Sequence, residues 1–448
     1  MIQRSTTHSL AYRQLIVERV FTVIRTGASA AIVGASSMGK SRLLHFLMQS
    51  DVREHYLGLQ SAATLFIWAD HHRLANQSEW AFYELLLTAM VEACENYDLP
   101  SSMRRKLMES RDRVIESTNG LLARRNVELA TVMLHKQGYK LCFLLDEFDE
   151  TYRSAAAQAL TNLRAIRDWH KYQVCFILML RDRPDRLRPP SDHEGFYELF
   201  SQNILGLGPY QSADAIHMMQ FLESREAFAP TRQQINLIME LSGKHPGLML
   251  ALFNLTMRLP MLDWSDWPQF LLAQPAITDE CYKLWNSLAD DECGILIDLV
   301  DRHVDRGDWA DQALRLKGII DKNDAIFSPI FAEYVRHQPS PAADAQLVLM
   351  AKEAIVYVGR RKLTNLTRKE FELLQLLYDH EGEVLERSRI IADLYPDEHH
   401  DINIKDNRID SLMRHLRKKI ETDPSEPQYL MTVWGQGYRL TTSPNRAN

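Results

Sequence analysis

Residues 30–44, AAIVGASSMGKSRLL, constrain this chain more than any other stretch. Four apolar residues run into a loop of small residues, then a lone lysine and a serine, then a helical pattern. Gly34, Ala35, Ser36, Ser37, Met38, Gly39, Lys40 and Ser41 satisfy GxxxxGK[ST] in full, in the strand–loop–helix context that the motif needs. Such a loop must wrap a polyphosphate with backbone N–H groups. Glycines are therefore needed where a side chain would block approach or where φ is positive. The helix N-terminus adds further donors and a favourable dipole. Lys40 is expected to reach the β- and γ-phosphates, and the Ser41 hydroxyl to ligate Mg²⁺, with Arg42 completing the phosphate-binding set. The alternative is a chance match in a Gly/Ser-rich turn, and the flanking strand and helix argue against it.

A nucleotide site also needs an acid at the end of a neighbouring strand. The run LCFLLDEFDE supplies it, 105 residues after Ser41. Asp146 is expected to hold Mg²⁺ through water and Glu147 to polarise an attacking water. Asp149 and Glu150 read as supporting or solvated residues. A third apolar run, QVCFILMLRDR, ends in Arg181, which is placed to sense a γ-phosphate or else to form a surface salt bridge.

SAAIVGA, TLFIWA (64–69), YKLCFLLDEFDE and QVCFILMLRDR read as apolar strands that alternate with helical patterns, the signature of a parallel sheet covered on both faces. Expected helices include 9–25, 40–49, 79–96, 121–137 and 154–169. From 212 to about 336 the pattern is mostly helical, and HQPSPAADA (337–345) reads as a linker. The expected division is 1–208, an α/β P-loop domain; 209–275, a helical lid; 276–338, a first winged helix; 339–345, a linker; and 346–441, a second winged helix. No run of 18 apolar residues occurs and residues 1–25 lack a signal-peptide block, so no membrane partner and a cytoplasmic location are expected. The net charge of −7 excludes nonspecific polyanion binding by the whole chain, so any DNA contact must come from a local patch. Five scattered cysteines, never CxxC, read as structural thiols.

The loop at 34–41, LLDEFDE and MLRDR together resemble the STAND class of signal-transducing P-loop ATPases, over residues 10–336. LSGKHPGLMLAL (241–252) is similar to that family's Gly-x-Pro motif, which implies that Pro246 packs near an adenine with His245 beside it. Residues 279–336 resemble the winged helix that follows the ATPase in that family. Many relatives carry a nucleotide-sensing His in this winged helix. Here Phe327-Ser328-Pro329 stands instead, and Ser328 is its candidate replacement. The resemblance implies ATP/ADP and Mg²⁺ as cofactors, slow hydrolysis, an ADP-bound resting state and ATP-driven opening or homo-oligomerisation.

In the last hundred residues Thr367 can cap a helix, with Glu370 at the capping-box position. A second helix spans 387–394. A third, about 405–421, carries Ile409, Leu412 or Met413, Leu416 and Ile420 at helical spacing. YLMTVWGQGYRL reads as a hairpin. Three helices and a hairpin make a winged helix. The string LTRKEFELLQLL…RIDSLMRHLRKKIETDP…YLMTVWGQGYRL resembles the OmpR/PhoB-type DNA-binding domain over 346–441. By that resemblance Arg408, Ser411 and His415 face bases. Arg414 and Arg417, with Lys418 and Lys419 in the same basic run, lie near phosphates or support the fold. Trp434 stands at the wing, with Tyr438 near the DNA backbone. Residues 341–448 hold 16 Lys+Arg against 17 Asp+Glu, so the basic footprint is confined to 405–419.

His71 and His72, and His399 and His400, lack partners at metal-ligand spacing and read as solvated. Trp264, Trp267 and Trp285 read as core plugs. The expectation is an ATP-dependent switch that regulates binding to double-stranded DNA, with its input from an unidentified signalling protein or ligand. The alternative is an ATP-gated scaffold whose last domain binds a protein; a weaker third reading is a DNA motor.

Overall fold

The computed structural model describes residues 9–442, except 96, 98, 262–266, 302–307, 339–346, 352–354, 359–360, 364–365, 396–401, 422–423, 425 and 434. In chain order the elements are α1 (Gln14–Thr26), β1 (Ala30–Val33), α2 (Lys40–Leu47), α3 (Ser50–Leu57), β2 (Thr64–Asp70), α4 (Glu79–Cys94), α5 (Ser101–Ser117), α6 (Gly120–Lys136), β3 (Lys140–Asp146), α7 (Asp149–Ser154), α8 (Ala157–Trp169), β4 (Val174–Leu180), α9 (Pro184–Leu187), α10 (Glu194–Glu198) and β5 (Ile204–Gly206). Then follow α11 (Ser212–Glu226), α12 (Arg232–Leu241), α13 (Pro246–Arg258), α14 (Trp267–Leu272), α15 (Pro275–Trp285), α16 (Asp290–Asp301), α17 (Asp308–Leu316) and α18 (Pro329–Arg336). The last section comprises β6 (Leu347–Met350), β7 (Ile355–Val358), β8 (Arg361–Leu363), α19 (Arg368–Asp379), β9 (Val384–Leu385), α20 (Arg387–Leu394), α21 (Ile402–Ile420), β10 (Leu430–Val433) and β11 (Gly437–Leu440).

Packing divides the chain into two units, 1–289 with 305–335, and 290–304 with 336–448. The segment 276–338 contributes to both. The first unit is built on a five-stranded sheet of order β2-β3-β4-β1-β5, parallel throughout. β1 and β4 are buried along their whole length, which is why they read as unbroken apolar runs. Helices α4, α6 and α8 supply the apolar cover on one side, with Phe82, Leu86, Val127 and Leu163 in one core cluster with β2, β3 and β4.

Several local expectations are corrected. The helix expected at 154–169 is two helices, interrupted at Ala155 and Ala156 in extended conformation. The helix expected from residue 9 starts at Gln14, because Arg13 takes a left-handed conformation (φ 45°). The helix expected at 40–49 ends at Leu47 and a separate α3 follows. β5, only three residues long, completes the sheet beside β1. Four of the five cysteines are buried, and none of the five is in a disulfide. Trp285 is a core residue, Trp267 is half-buried and Trp264 lies outside the described residues. No helix among the described residues is long and apolar enough to cross a membrane.

The second unit packs α19, α20 and α21 against the β9–β10–β11 sheet, with a second three-stranded antiparallel sheet, β6–β7–β8, preceding them. Thr367 and Glu370 form the expected capping box of α19. Ile409, Met413, Leu416 and Ile420 are the buried stripe of α21, so Met413 rather than Leu412 takes the alternative position.

Candidate nucleotide site and DNA-binding face

The phosphate loop leaves the carboxyl end of β1 and turns at Gly39, whose φ of 89° is one that a side chain would strain. Ser37 is also left-handed, at φ 58°. Lys40 is buried, and its Nζ donates to Gly34 O at 2.8 Å and to Ala35 O at 3.3 Å. Burial lowers its pKa against the opposing pull of Glu147 and Asp149. The Ser41 hydroxyl hydrogen-bonds Asp146, a buried carboxyl that burial raises while this bond lowers it; the net shift is upward. A hydroxyl and a carboxylate brought together in this way are the hard oxygen donors that Mg²⁺ takes.

Strand order explains how the acids and Arg181 meet. β4 lies between β1 and β3, so the residue following β4 emerges between the loop and the acids. The Arg181 side chain donates to Glu147 Oε2 at 2.7 Å, and its backbone N–H donates to Asp149 Oδ1 at 2.7 Å. Burial pushes the Glu147 carboxyl up, but Arg181 and Lys40 together outweigh it and hold the pKa low. Burial raises Asp149, and its Oδ2 is buried without a hydrogen-bond partner. Glu147 sits at φ 49°, strained for a non-glycine residue. Glu150 is exposed and pairs with Arg153. A cavity of about 600 Å³ opens beside these groups, lined by Glu147, Asp149, Arg181, His72, Ser287 and Leu288 among others.

His245 is fully buried at the N-cap of α13. Its Nδ1 accepts from Leu248 N at 3.2 Å, so Nε2 carries the proton and donates to Ser36 O at 3.1 Å. Burial lowers its pKa to about 4. Pro246 is the buried first residue of α13. Ser328, by contrast, is committed elsewhere: its hydroxyl donates to Leu241 O at 2.7 Å and accepts from Phe331 N, capping α18.

Four residues join the site without having been singled out for it by sequence. Arg13 is buried, stacks 4.5 Å above Tyr210, and donates to Met38 O at 2.7 Å and Gly208 O at 2.9 Å. Ser287 Oγ accepts from Ser36 N–H at 3.0 Å. Glu280 lies against Gly247. His71 is a correction, for it is buried rather than solvated: Nδ1 bonds Asp146 O at 3.0 Å and burial lowers its pKa to about 4. Its strand register explains this, since Asp70 pairs with Asp146 across β2 and β3. No periodicity marks any of the four; only the closed fold brings them to the loop.

On α21, Arg408, Arg414, His415 and Lys418 are exposed and Ser411 is half-buried. Arg417 instead donates to Leu430 O at 2.7 Å and Thr432 Oγ1 at 2.7 Å, bracing the hairpin. Lys419 donates to Glu370 Oε2 at 2.7 Å, tying α21 to the cap of α19. Tyr438 is buried; its hydroxyl donates to Asp410 at 2.5 Å and accepts from Arg387 at 3.2 Å. Trp434, His399 and His400 lie outside the described residues.

Residues 360–440 match the family described as transcriptional regulatory protein, C terminal. The second unit therefore contains a DNA-binding domain of the transcription-regulator, OmpR/PhoB type. Among solved structures, the DNA-binding domain of RstA from Klebsiella pneumoniae in complex with RstA box is 23% identical, covering 22% of this chain and 95% of that one, with a TM-score of 0.20. The DNA-binding domain of CpxR from E. coli is 25% identical, covering 22% and 94%, with a TM-score of 0.19. A Walker-type ATPase of Pyrococcus abyssi is 13% identical, covering 72% and 95%, with a TM-score of 0.46.

Proposed function

We propose that this protein is an ATP-dependent, STAND-like switch that regulates DNA binding, a transcription regulator whose nucleotide state decides what its C-terminal domain does. One observation carries the nucleotide half: Lys40, Ser41, Asp146, Glu147 and Arg181 converge at the carboxyl ends of three adjacent parallel strands, on a loop with φ values suited to polyphosphate. The residues present fit Mg-ATP. Gly34 to Ser41 and Arg42 would cradle the phosphates, and Ser41 and Asp146 would hold Mg²⁺, which neutralises phosphate charge when bound. Glu147 would orient water, Arg181 would reach the γ-phosphate, and Pro246 and His245 would border the adenine. The finer division of the chain, with a helical lid at 209–275 and a first winged helix at 276–338, belongs to this proposal. Nucleotide-dependent homo-oligomerisation would strengthen DNA binding, because one wing-and-helix unit offers few phosphate contacts.

Binding of ATP and ADP by the full chain, followed by titration calorimetry, tests the reading. Lys40→Ala should abolish binding of both. Glu147→Gln should keep binding and lower hydrolysis by at least about 100-fold, the usual contribution of a positioned general base. Unchanged affinity in the first variant rules out the phosphate loop; unchanged turnover in the second removes Glu147 from its role. A protein-binding role for the C-terminal domain is favoured by a different observation: Arg417 and Lys419 are engaged in internal ties, which narrows the basic face of α21. A DNA titration across salt separates the two, since protein contact predicts no salt-dependent DNA affinity.

A further inference from the structure

We propose that α15 and the turn behind it form an internal competitor for the phosphate loop, acting through Ser287 and Glu280, which a nucleoside triphosphate displaces on binding. The inference rests on the nucleotide-site reading above and concerns its regulation. Ser287 Oγ holds the Ser36 N–H at 3.0 Å and is itself anchored by donating to Leu284 O at 2.7 Å. A backbone N–H of the loop is a group that a phosphate oxygen takes. Ser287 also lines the cavity that contains Glu147 and Arg181, so it stands on the side of the loop where a γ-phosphate meets the acids.

Glu280 makes the second contact. Its Oε1 pairs with Lys283 at 2.6 Å, while Oε2 is buried without a hydrogen-bond partner. A Cβ on Gly247 would lie 2.1 Å from that oxygen and 3.0 Å from Ser37 Cβ, so the carboxylate lies against the N-terminus of α13, close to Ser37 of the loop. A carboxylate beside a phosphate-binding loop repels a polyanion and takes its place electrostatically. The helix and the turn that follows it thus bring a carboxylate and a hydroxyl acceptor to the loop. The chain leaves the first unit two residues after Ser287, at Ala289. Ser328, the residue expected to sense nucleotide, has its hydroxyl spent on a helix cap; Ser287 is the serine that touches the loop.

The test uses the full chain with Mg-ATP and Mg-ADP in parallel. Ser287→Ala should raise the preference for ATP over ADP about five-fold, the effect of releasing one neutral hydrogen bond, and Ser287→Thr, which keeps the hydroxyl, should leave the preference as it is. Glu280→Gln, matched in size, should tighten both nucleotides about three-fold or more. Hydrogen exchange in 280–289 should rise on adding ATP and stay low with ADP. If Lys40→Ala abolishes binding while the ATP preference of Ser287→Ala and exchange in 280–289 are unmoved, the competitor idea is overturned and the nucleotide site stands. If Lys40→Ala leaves binding intact, the nucleotide-site reading falls, and this inference with it.

Discussion

Around the phosphate loop, burial and neighbouring charge pull each titratable group in opposite directions, and the winner differs from residue to residue. Burial wins at Asp146 and Asp149, whereas Arg181 and Lys40 win at Glu147. A carboxylate kept ionised beside two that are pushed toward neutrality is an arrangement suited to orienting water. Burial also wins at His71 and His245, both lowered to about 4. An unfolded histidine takes its proton near pH 6.5, but these two resist it until about pH 4. Between those values each histidine binds its proton in the unfolded chain and not in the folded one, so the contribution of this pair to stability falls as pH falls, by up to about 1.4 kcal/mol per pH unit for each. Thermal unfolding of the first unit's transition at pH 7 and pH 5 should show this drop. His71→Gln should reduce the slope whatever it does to the midpoint; an unchanged slope would remove His71 as a source. Asp146, Glu147 and Lys40 were legible because motif spacing marks them. Arg13 was not, since one arginine at the start of an amphipathic helix looks like any other until Tyr210, Met38 and Gly208 close round it.

Among the elements, α21 is held in place by its own charges. Arg417 grips β10, Lys419 reaches Glu370, and beyond its last turn the buried Glu421 accepts N–H groups from Gln428, Tyr429 and Leu430. These ties orient the helix relative to the hairpin. Glu421→Ala leaves buried donors unpaired and should cost roughly 3 kcal/mol, read by chemical denaturation of the second unit's transition. Thr367→Ala, which removes the hydroxyl's two bonds to Glu370 but keeps the Thr367 N–H bond to the Glu370 carboxylate, should cost about 1 kcal/mol. Equal effects would mean that Glu421 is not the brace. The helix periodicity of α21 was readable in the sequence, and so was the capping box. The split between outward and inward basic residues was not: Arg414 and Arg417 lie three apart on one helix, and only the hairpin's position turns one of them into a strut.

At the level of the whole molecule, a unit built on a parallel sheet and a unit containing a transcription-regulator-type DNA-binding domain share a chain of net charge −7. Long-range attraction to DNA is therefore weak, and on the proposed reading binding depends on the exposed cations of α21. Arg414→Ala should lower DNA affinity for all sequences alike and reduce the salt slope of log K by about 0.9, whereas Arg417→Ala should lower stability first. In the proposed switch, nucleotide is a second lever. Gel filtration should show larger assemblies with ATP than with ADP, and DNA affinity should follow. Identical elution and affinity with both nucleotides would leave the two units as independent passengers.

The amino-acid sequence by itself determined what depends on neighbours along the chain. A glycine pattern specifies a loop, an unbroken apolar run specifies a buried strand, and a Thr–Glu spacing specifies a cap, because each acts within a few residues. The tertiary structure alone decided which strand lies between which, and hence that Arg181 meets Glu147, that His71 is buried behind Asp146, and that Ser287, about 250 residues from Ser36, takes its N–H. Those contacts arise from sheet order and helix packing, in which groups far apart in sequence become neighbours, and no local preference encodes them.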